Sequence, residues 1–288
     1  METLPNFGAL PPENSDYQTA KIVILPVPFD KTTSYMHGTD KGPDAIIAAS
    51  AQVELYDLET NSEVYLQGIH TAEPVVAETS EELNKQAHER VTSLLVDGKF
   101  VLTLGGEHAI SNGPIKAHAD FFRDISVLQL DAHGDMRDSY EGSIYSHASV
   151  MARVKEMPGV NAVVQVGIRA VDSSELKNIN KDTFFPADQL VDGYDWIDRV
   201  VEKLSDKVYI SLDIDVFDSS IMPSTGTPEP GGLNWYQVVR LLRRVAEKRT
   251  IVGADVVELL PNEANQAPDF LTAKLVYKLL SYRFAFGE

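Results

Sequence analysis

The chain has no cysteine. That absence removes disulfide scaffolding, zinc–thiolate sites and cysteine nucleophiles together. Positive charge is scarce as well, with 25 Lys and Arg against 43 Asp and Glu and a formal net charge of −18. Such a balance argues against nucleic acid as a partner and favours a cationic ligand. No uninterrupted apolar run approaches membrane-spanning length, so no membrane partner is expected. The opening METLPNFGALPPENSDYQ lacks both a basic n-region and an apolar h-region, which makes the cytoplasm the expected location.

What is present is a core: 43% of the 288 residues are hydrophobic, enough to fill one large α/β domain. Short apolar, β-branched runs predict strands at 22–26, 64–68, 100–104, 126–130, 162–167, 183–185, 208–212 and 251–257. Most do not alternate with polar residues, as expected of strands covered on both faces. Helical patterns lie between them. Thr79 and Glu82 are spaced as a capping box; Leu83, Ala87, Val91, Leu94 and Leu95 then form one face, and Gly98 supplies the stop. A second helix starts at Asn234 and carries Val238, Leu241, Leu242 and Val245 on its buried stripe. Strand and helix alternating in this way imply a three-layer α/β/α arrangement around a mainly parallel sheet of roughly eight strands. No linker, repeat or low-complexity segment interrupts the pattern, so residues 1–288 are expected to form a single domain.

In open α/β sheets the ligand site lies beyond the carboxyl ends of the strands. Three polar clusters fall there. DAHGDMRD follows the apolar run 125–130, and alternate residues on an extended segment point the same way, so Asp131, His133 and Asp135 can converge. SLDIDVFD repeats the device with Asp213 and Asp215, and in LGGEHAI two glycines break the strand before His108 opens a helix. Each fragment alone has an ordinary explanation as a loop, a cap or a turn. Together they place four carboxylates and two imidazoles at three strand ends, which is costly unless cations are bound. The count suits two divalent ions, and the oxygen-rich set favours manganese, two Mn2+ per chain, over zinc.

These motifs, in this order, resemble the ureohydrolase family of arginases, agmatinases and other guanidino-compound hydrolases, manganese enzymes with an arginase-like α/β fold. The resemblance starts at PVPFDKTTSYMHGTDKGPDAI (26–46) and runs through GGEHAIS, DAHGDMRD and SHA (146–148). It ends with SLDIDVFD, TGTPEPGGL (225–233) and DVVEL (255–259). The TGTPEPGG form and the Arg-Asp after the metal motif look most like bacterial agmatinases.

The resemblance implies one manganese on His108 and Asp135, another on His133 and Asp215, and Asp131 and Asp213 as bridges. It implies His147 as the catalytic proton shuttle, Glu258 as the catalytic carboxylate that binds the substrate guanidinium, and Thr227 as a substrate-site residue supporting Glu258. Agmatine, cleaved to putrescine and urea by metal-activated hydroxide, is the implied substrate, and a homotrimer or homohexamer the implied assembly. Gly134 departs from the threonine common in the first metal motif, and Ser219 and Ser220 from the usual proline step after the second.

Arg137 stands where family arginases place an asparagine. It could grip the carboxylate of a guanidino acid such as 4-guanidinobutyrate, or it could pair within the protein with Asp138 or Glu141. The resulting order of substrates is agmatine, then guanidino acids, then arginine. A catalytically silent metal-binding homologue is the non-enzyme alternative. A one-metal deacetylase would not need all six ligands, and the absence of GxGxxG after the first strand disfavours a dinucleotide site. His37, His70, His88 and His118 lack such context and read as structural or solvent-facing.

Overall fold

The computed structural model describes residues 6–287. Its eight strands are β1 (Ile22–Val27), β2 (Ile69–Thr71), β3 (Phe100–Gly105), β4 (Ile125–Leu130), β5 (Val160–Ile168), β6 (Phe184–Pro186), β7 (Lys207–Asp213) and β8 (Thr250–Val257). All neighbouring pairs are parallel, in the order β2-β1-β3-β8-β7-β4-β5-β6. The helices are α1 (Pro12–Ser15), α2 (Gly42–Ser50), α3 (Ser80–Val96), α4 (Asn112–Phe122), α5 (Val150–Lys155), α6 (Trp196–Glu202), α7 (Trp235–Lys248) and α8 (Ala267–Phe286).

The apolar strands face helices on both sides, as their lack of alternation predicts. Ile22 and Ile24 of β1 join a core with α2, α6, α7 and α8, while Val23 and Leu25 point the other way toward α3. In the same way Leu128 and Leu130 of β4 join the first core, whereas Val127 packs with α4 and α5. Three layers follow from this alternation of direction.

Three local expectations are corrected. The run 64–68 is a 3-10 turn, Val64–Gln67, and the strand begins one residue later at Ile69. Val64 is buried but Leu66 is 59% exposed, so the run never had two covered faces. The capping box at α3 is half formed. Thr79 accepts the Glu82 N–H, but the Glu82 carboxylate turns to Gln86. Asn234 caps α7 as expected and exchanges a reciprocal pair of bonds with Gln237. Strand 183–185 shifts to Phe184–Pro186, because Thr183 closes a preceding 3-10 turn.

The order of the strands decides where the site lies. β3, β8, β7 and β4 are adjacent in the middle of the sheet. Residues immediately beyond four neighbouring strand ends therefore share one rim, although they come from distant parts of the sequence.

Candidate metal centre

Each of those four ends is shaped to present polar groups. After β3 the chain must pass close to Phe29: a Cβ at Gly106 would stand 2.1 Å from the Phe29 carbonyl oxygen, so only glycine fits. His108 then opens the 3-10 turn leading into α4. After β4 the segment is not a straight strand, as the alternation argument assumed. Asp135 adopts a left-handed φ of 50°, and this turn brings its carboxylate toward His108. After β7, Asp213 accepts the Asp215 N–H and caps a short 3-10 turn. After β8, Glu258 has φ 69°, a conformation costing a non-glycine residue about 1–3 kcal/mol, held by its N–H to Gly106 O at 2.8 Å.

All six sequence-predicted ligands converge. His108 Nδ1 lies 3.1 Å from Asp131 Oδ2, 2.9 Å from Asp135 Oδ2 and 3.5 Å from Asp213 Oδ2. His133 Nδ1 lies 2.8 Å from Asp215 Oδ2 and 3.6 Å from Asp131 Oδ1. Two groups able to hold a cation result, His108–Asp131–Asp213 and Asp131–His133–Asp215, and Asp131 belongs to both.

The chemistry of His108 tests whether cations fit. Its Nε2 bonds to Ser211 Oγ at 2.9 Å, and Ser211 donates onward to Asp255 Oδ1 at 2.8 Å. Because Ser211 spends its proton on Asp255, it accepts from His108 Nε2. Without a cation, and despite burial, Asp131 and Asp135 hold a proton on Nδ1 as well, and its loss would leave Nδ1 as the lone pair aimed into the cluster. That nitrogen is buried, has no well-aligned hydrogen-bond partner among the described residues, and faces three carboxylates. A ligating imidazole needs this tautomer, fixed by a partner on the far nitrogen. Tyr209 supports the relay by donating to Asp255 Oδ2 at 2.8 Å.

The charges also call for cations. Burial, then Asp215 and Asp131, push the Asp213 carboxyl well above its usual range; burial and Asp131 push Asp135 up to about 6. His133, despite burial, is drawn up to about 12 by Asp215 and Asp131. Protein cations at the cluster are too few, so protons would have to neutralise it, and metal ions relieve the same excess.

The cluster floors a cavity of about 450 Å³ whose wall includes Tyr35, Arg137, Tyr140, His147, Thr227 and Glu258. His147 is half-buried, its N–H donating to Thr32 Oγ1 at 3.1 Å and its Nδ1 3.3 Å from the same oxygen. Burial, opposed by the Thr32 contact but helped by His108 and His133, lowers it to about 4, so it is neutral at pH 7. Glu258 Oε1 accepts the His108 N–H at 2.7 Å. Burial first and Glu107 next push the Glu258 carboxyl up to about 8, which leaves it in want of a cationic partner.

Two placements differ from the sequence reading. Thr227 Oγ1 sits 3.5 Å from His133 Nε2, and among the described residues no hydrogen bond joins it to Glu258. Arg137 pairs neither with Asp138 nor with Glu141. Its guanidinium lies 3.6 Å from Glu175 and 3.9 Å from Asp172, over the face of Tyr140. Asp138 is engaged by Lys177 and Asn178 instead.

Several residues escaped the sequence reading. Buried Glu107 accepts bonds from Thr32 and Thr33 and so anchors the threonine that holds His147. Ser211 and Asp255 orient His108. The available signal was a lone polar residue in an otherwise apolar strand, as in DVVEL. His88 pairs with Asp120, and His70 and His118 bond backbone carbonyls, which accords with their structural assignment.

The model of the Arginase family matches residues 20–281. The chain belongs to the arginase family. Within that family it is 40% identical to the N(1)-aminopropylagmatine ureohydrolase of Thermus thermophilus, over 94% of this chain and 93% of that protein. It is 32% identical to the agmatinase of Pyrococcus horikoshii, over 92% and 93% of the two chains. Among solved structures, agmatine ureohydrolase of Thermoplasma volcanium superposes with a TM-score of 0.87 at 31% identity, covering 99% of this chain and 96% of that one. The chain is thus an arginase-family hydrolase of agmatinase-like type, with an eight-stranded parallel sheet of the arginase kind. Among the described residues no helix is long and apolar enough to cross a membrane.

Proposed function

We propose that the protein hydrolyses the guanidinium group of agmatine, water and agmatine giving putrescine and urea. The observation that carries this reading is the position of Glu258, a half-buried carboxylate in the same cavity as both cation-binding groups. A guanidinium stays charged at any working pH, so it meets the need of Glu258 for a cation and can pair with it in one plane. That pairing presents the central carbon to the aspartate cluster. Two divalent ions in the cluster, manganese by the oxygen-rich donor set, would act as Lewis acids and lower the pKa of water toward neutrality.

His147 supplies the proton transfer. A neutral imidazole in the cavity wall can accept a proton and return it to the departing nitrogen, which must leave as an amine. Thr32, itself held by Glu107, fixes the ring for that exchange.

Arg137 favours an amine tail over a carboxylate tail. Its charge is already met by Glu175, Asp172 and the face of Tyr140, so a guanidino acid would have to displace those contacts. A second reading is N1-aminopropylagmatine, supported by the name and 40% identity of the Thermus relative. It shares the same guanidinium chemistry and differs only in the tail.

Release of urea from agmatine, N1-aminopropylagmatine, 4-guanidinobutyrate and arginine, assayed side by side with manganese, tests the reading. Agmatine should give the highest kcat/KM. Higher turnover of the aminopropyl compound selects the second reading, and no urea from any of the four rejects both.

A further inference from the structure

Arg169 stands just beyond β5 and lines the cavity, yet no carboxylate lies within ion-pair distance of it among the described residues. Among the described residues its guanidinium bonds only to backbone carbonyls. Nε donates to Pro230 at 3.0 Å. Nη2 donates to Asp215 at 2.7 Å, Glu229 at 2.8 Å and Phe217 at 3.2 Å. Nη1 reaches Gly167 at 3.2 Å and Val216 at 3.5 Å. One side chain thereby clamps the turn that carries Asp215 to the loop that carries Thr227.

The backbone of the same residue holds a third piece. Arg169 N–H donates to Ala132 O at 2.8 Å, Ala170 N–H to the same oxygen at 3.0 Å, and Gly134 N–H to Ala170 O at 3.2 Å. His133 sits between those contacts, paired with Ala170 in an isolated bridge. Arg169 therefore ties together the segments bearing His133, Asp215 and Thr227. His108, by contrast, is oriented through Ser211 and Asp255, and Asp135 lies on the other side of the cluster with it.

A positive charge beside a cation site opposes cation binding, so its presence there calls for a geometric role. A planar fork can satisfy several divergent carbonyls at once, which an ammonium cannot. We infer that Arg169 is a positioning residue for the His133–Asp215 cation site, setting the affinity of that site and leaving the His108–Asp135 site nearly unchanged. The inference rests on the two-cation reading of the cluster.

Calorimetric titration of chelator-stripped protein with Mn2+ alone tests it, with no substrate present. Wild type should bind two ions. Arg169→Lys should weaken one of them about 10- to 100-fold and leave the other within a few-fold, the range typical of lost supporting contacts. To assign the site, Arg169→Lys is added to His108→Ala and to His133→Ala. It should weaken the remaining ion in the first background and spare it in the second.

Equal weakening of both ions, or of neither, overturns the inference while leaving the two-cation reading standing. A wild type that binds one ion overturns both. Arg169→Gln, which retains a donor but no charge, should show the same selectivity. Failure of both variants to fold would make Arg169 a general scaffold residue and overturn the inference equally. Two ions bound with no urea released would reject the proposed function and leave Arg169 in place.

Discussion

Glu175 occupies the space into which a side chain at position 134 would grow. A Cβ on Gly134 would stand 2.8 Å from Glu175 Oε2, the oxygen that accepts the Met136 N–H at 2.9 Å. The other oxygen accepts the Asp172 N–H, so the carboxylate has little freedom to withdraw. The glycine in DAHGD thus accompanies a buried glutamate that braces the segment carrying Asp131, His133 and Asp135. Gly134→Thr, which restores the residue common in the family motif, should cost about 1–3 kcal/mol through overpacking and loosen metal retention. Urea denaturation and metal analysis of the variant check this. Unchanged stability would mean that Glu175 moves freely.

Among the described residues Asp131 alone belongs to both candidate cation groups. Asp131→Ala should therefore empty both sites and abolish turnover, whereas His108→Ala should mainly weaken one. Metal content per chain decides the matter, with two ions expected in the activated wild type and one ion sufficient to reject a shared ligand.

His147 touches Thr32 and Tyr140 and makes no ion pair with the clustered aspartates. His147→Ala should keep its metal while kcat falls by something like 10²- to 10⁴-fold, the usual contribution of a positioned acid–base group. Thr32→Val, which removes the hydroxyl that holds the ring, should give a smaller loss of the same kind. Depletion of metal in His147→Ala would show that the imidazole is a ligand.

The layers and most of the strands were legible because a parallel sheet buried on both faces leaves uninterrupted apolar runs. The six candidate ligands could be singled out because Asp and His at strand ends are costly without a purpose. Strand order was not, since nothing local in DAHGD or GGEH says that β3 and β4 flank β8 and β7. The left-handed turn at Asp135 was also hidden, as a short aspartate segment can be extended or turned with equal local ease. Supporting residues were the least legible. Glu107, Arg169 and Glu175 act through backbone groups 30 or more residues away in several cases, and such partners exist only once the chain has folded.

His118 offers a pH test of stability outside the candidate cation cluster itself. It is fully buried between Tyr209 and Phe122, and burial lowers it to about 4. The unfolded chain takes up a proton near pH 6.5 that the folded chain refuses, so this contribution is whole above pH 6.5 and falls away toward pH 4. Between pH 7.5 and pH 5 the loss should be roughly 2 kcal/mol. In metal-free protein, His118→Gln should reduce the pH dependence of the unfolding free energy by about that amount. An identical pH slope in both proteins would show that the imidazole is protonated in place.

Arg137 carries the riskiest expectation, because its role separates an amine-tailed substrate from an acid-tailed one. A guanidinium held by Glu175, Asp172 and Tyr140 has a structural duty and little unmet charge. Arg137→Ala should then leave kcat/KM for agmatine within a few-fold and should not abolish a selective activity toward 4-guanidinobutyrate, since none is expected. Glu258→Gln should impair every guanidino substrate alike, because all share the pairing it removes. Specificity is a ratio of kcat/KM values, so the deciding number is that ratio for agmatine against 4-guanidinobutyrate in wild type and in Arg137→Ala. A wild-type preference for the acid that collapses in the variant would assign Arg137 to the substrate carboxylate. The hydrolytic chemistry at the aspartate cluster would be untouched by that result, and only the identity of the tail would change.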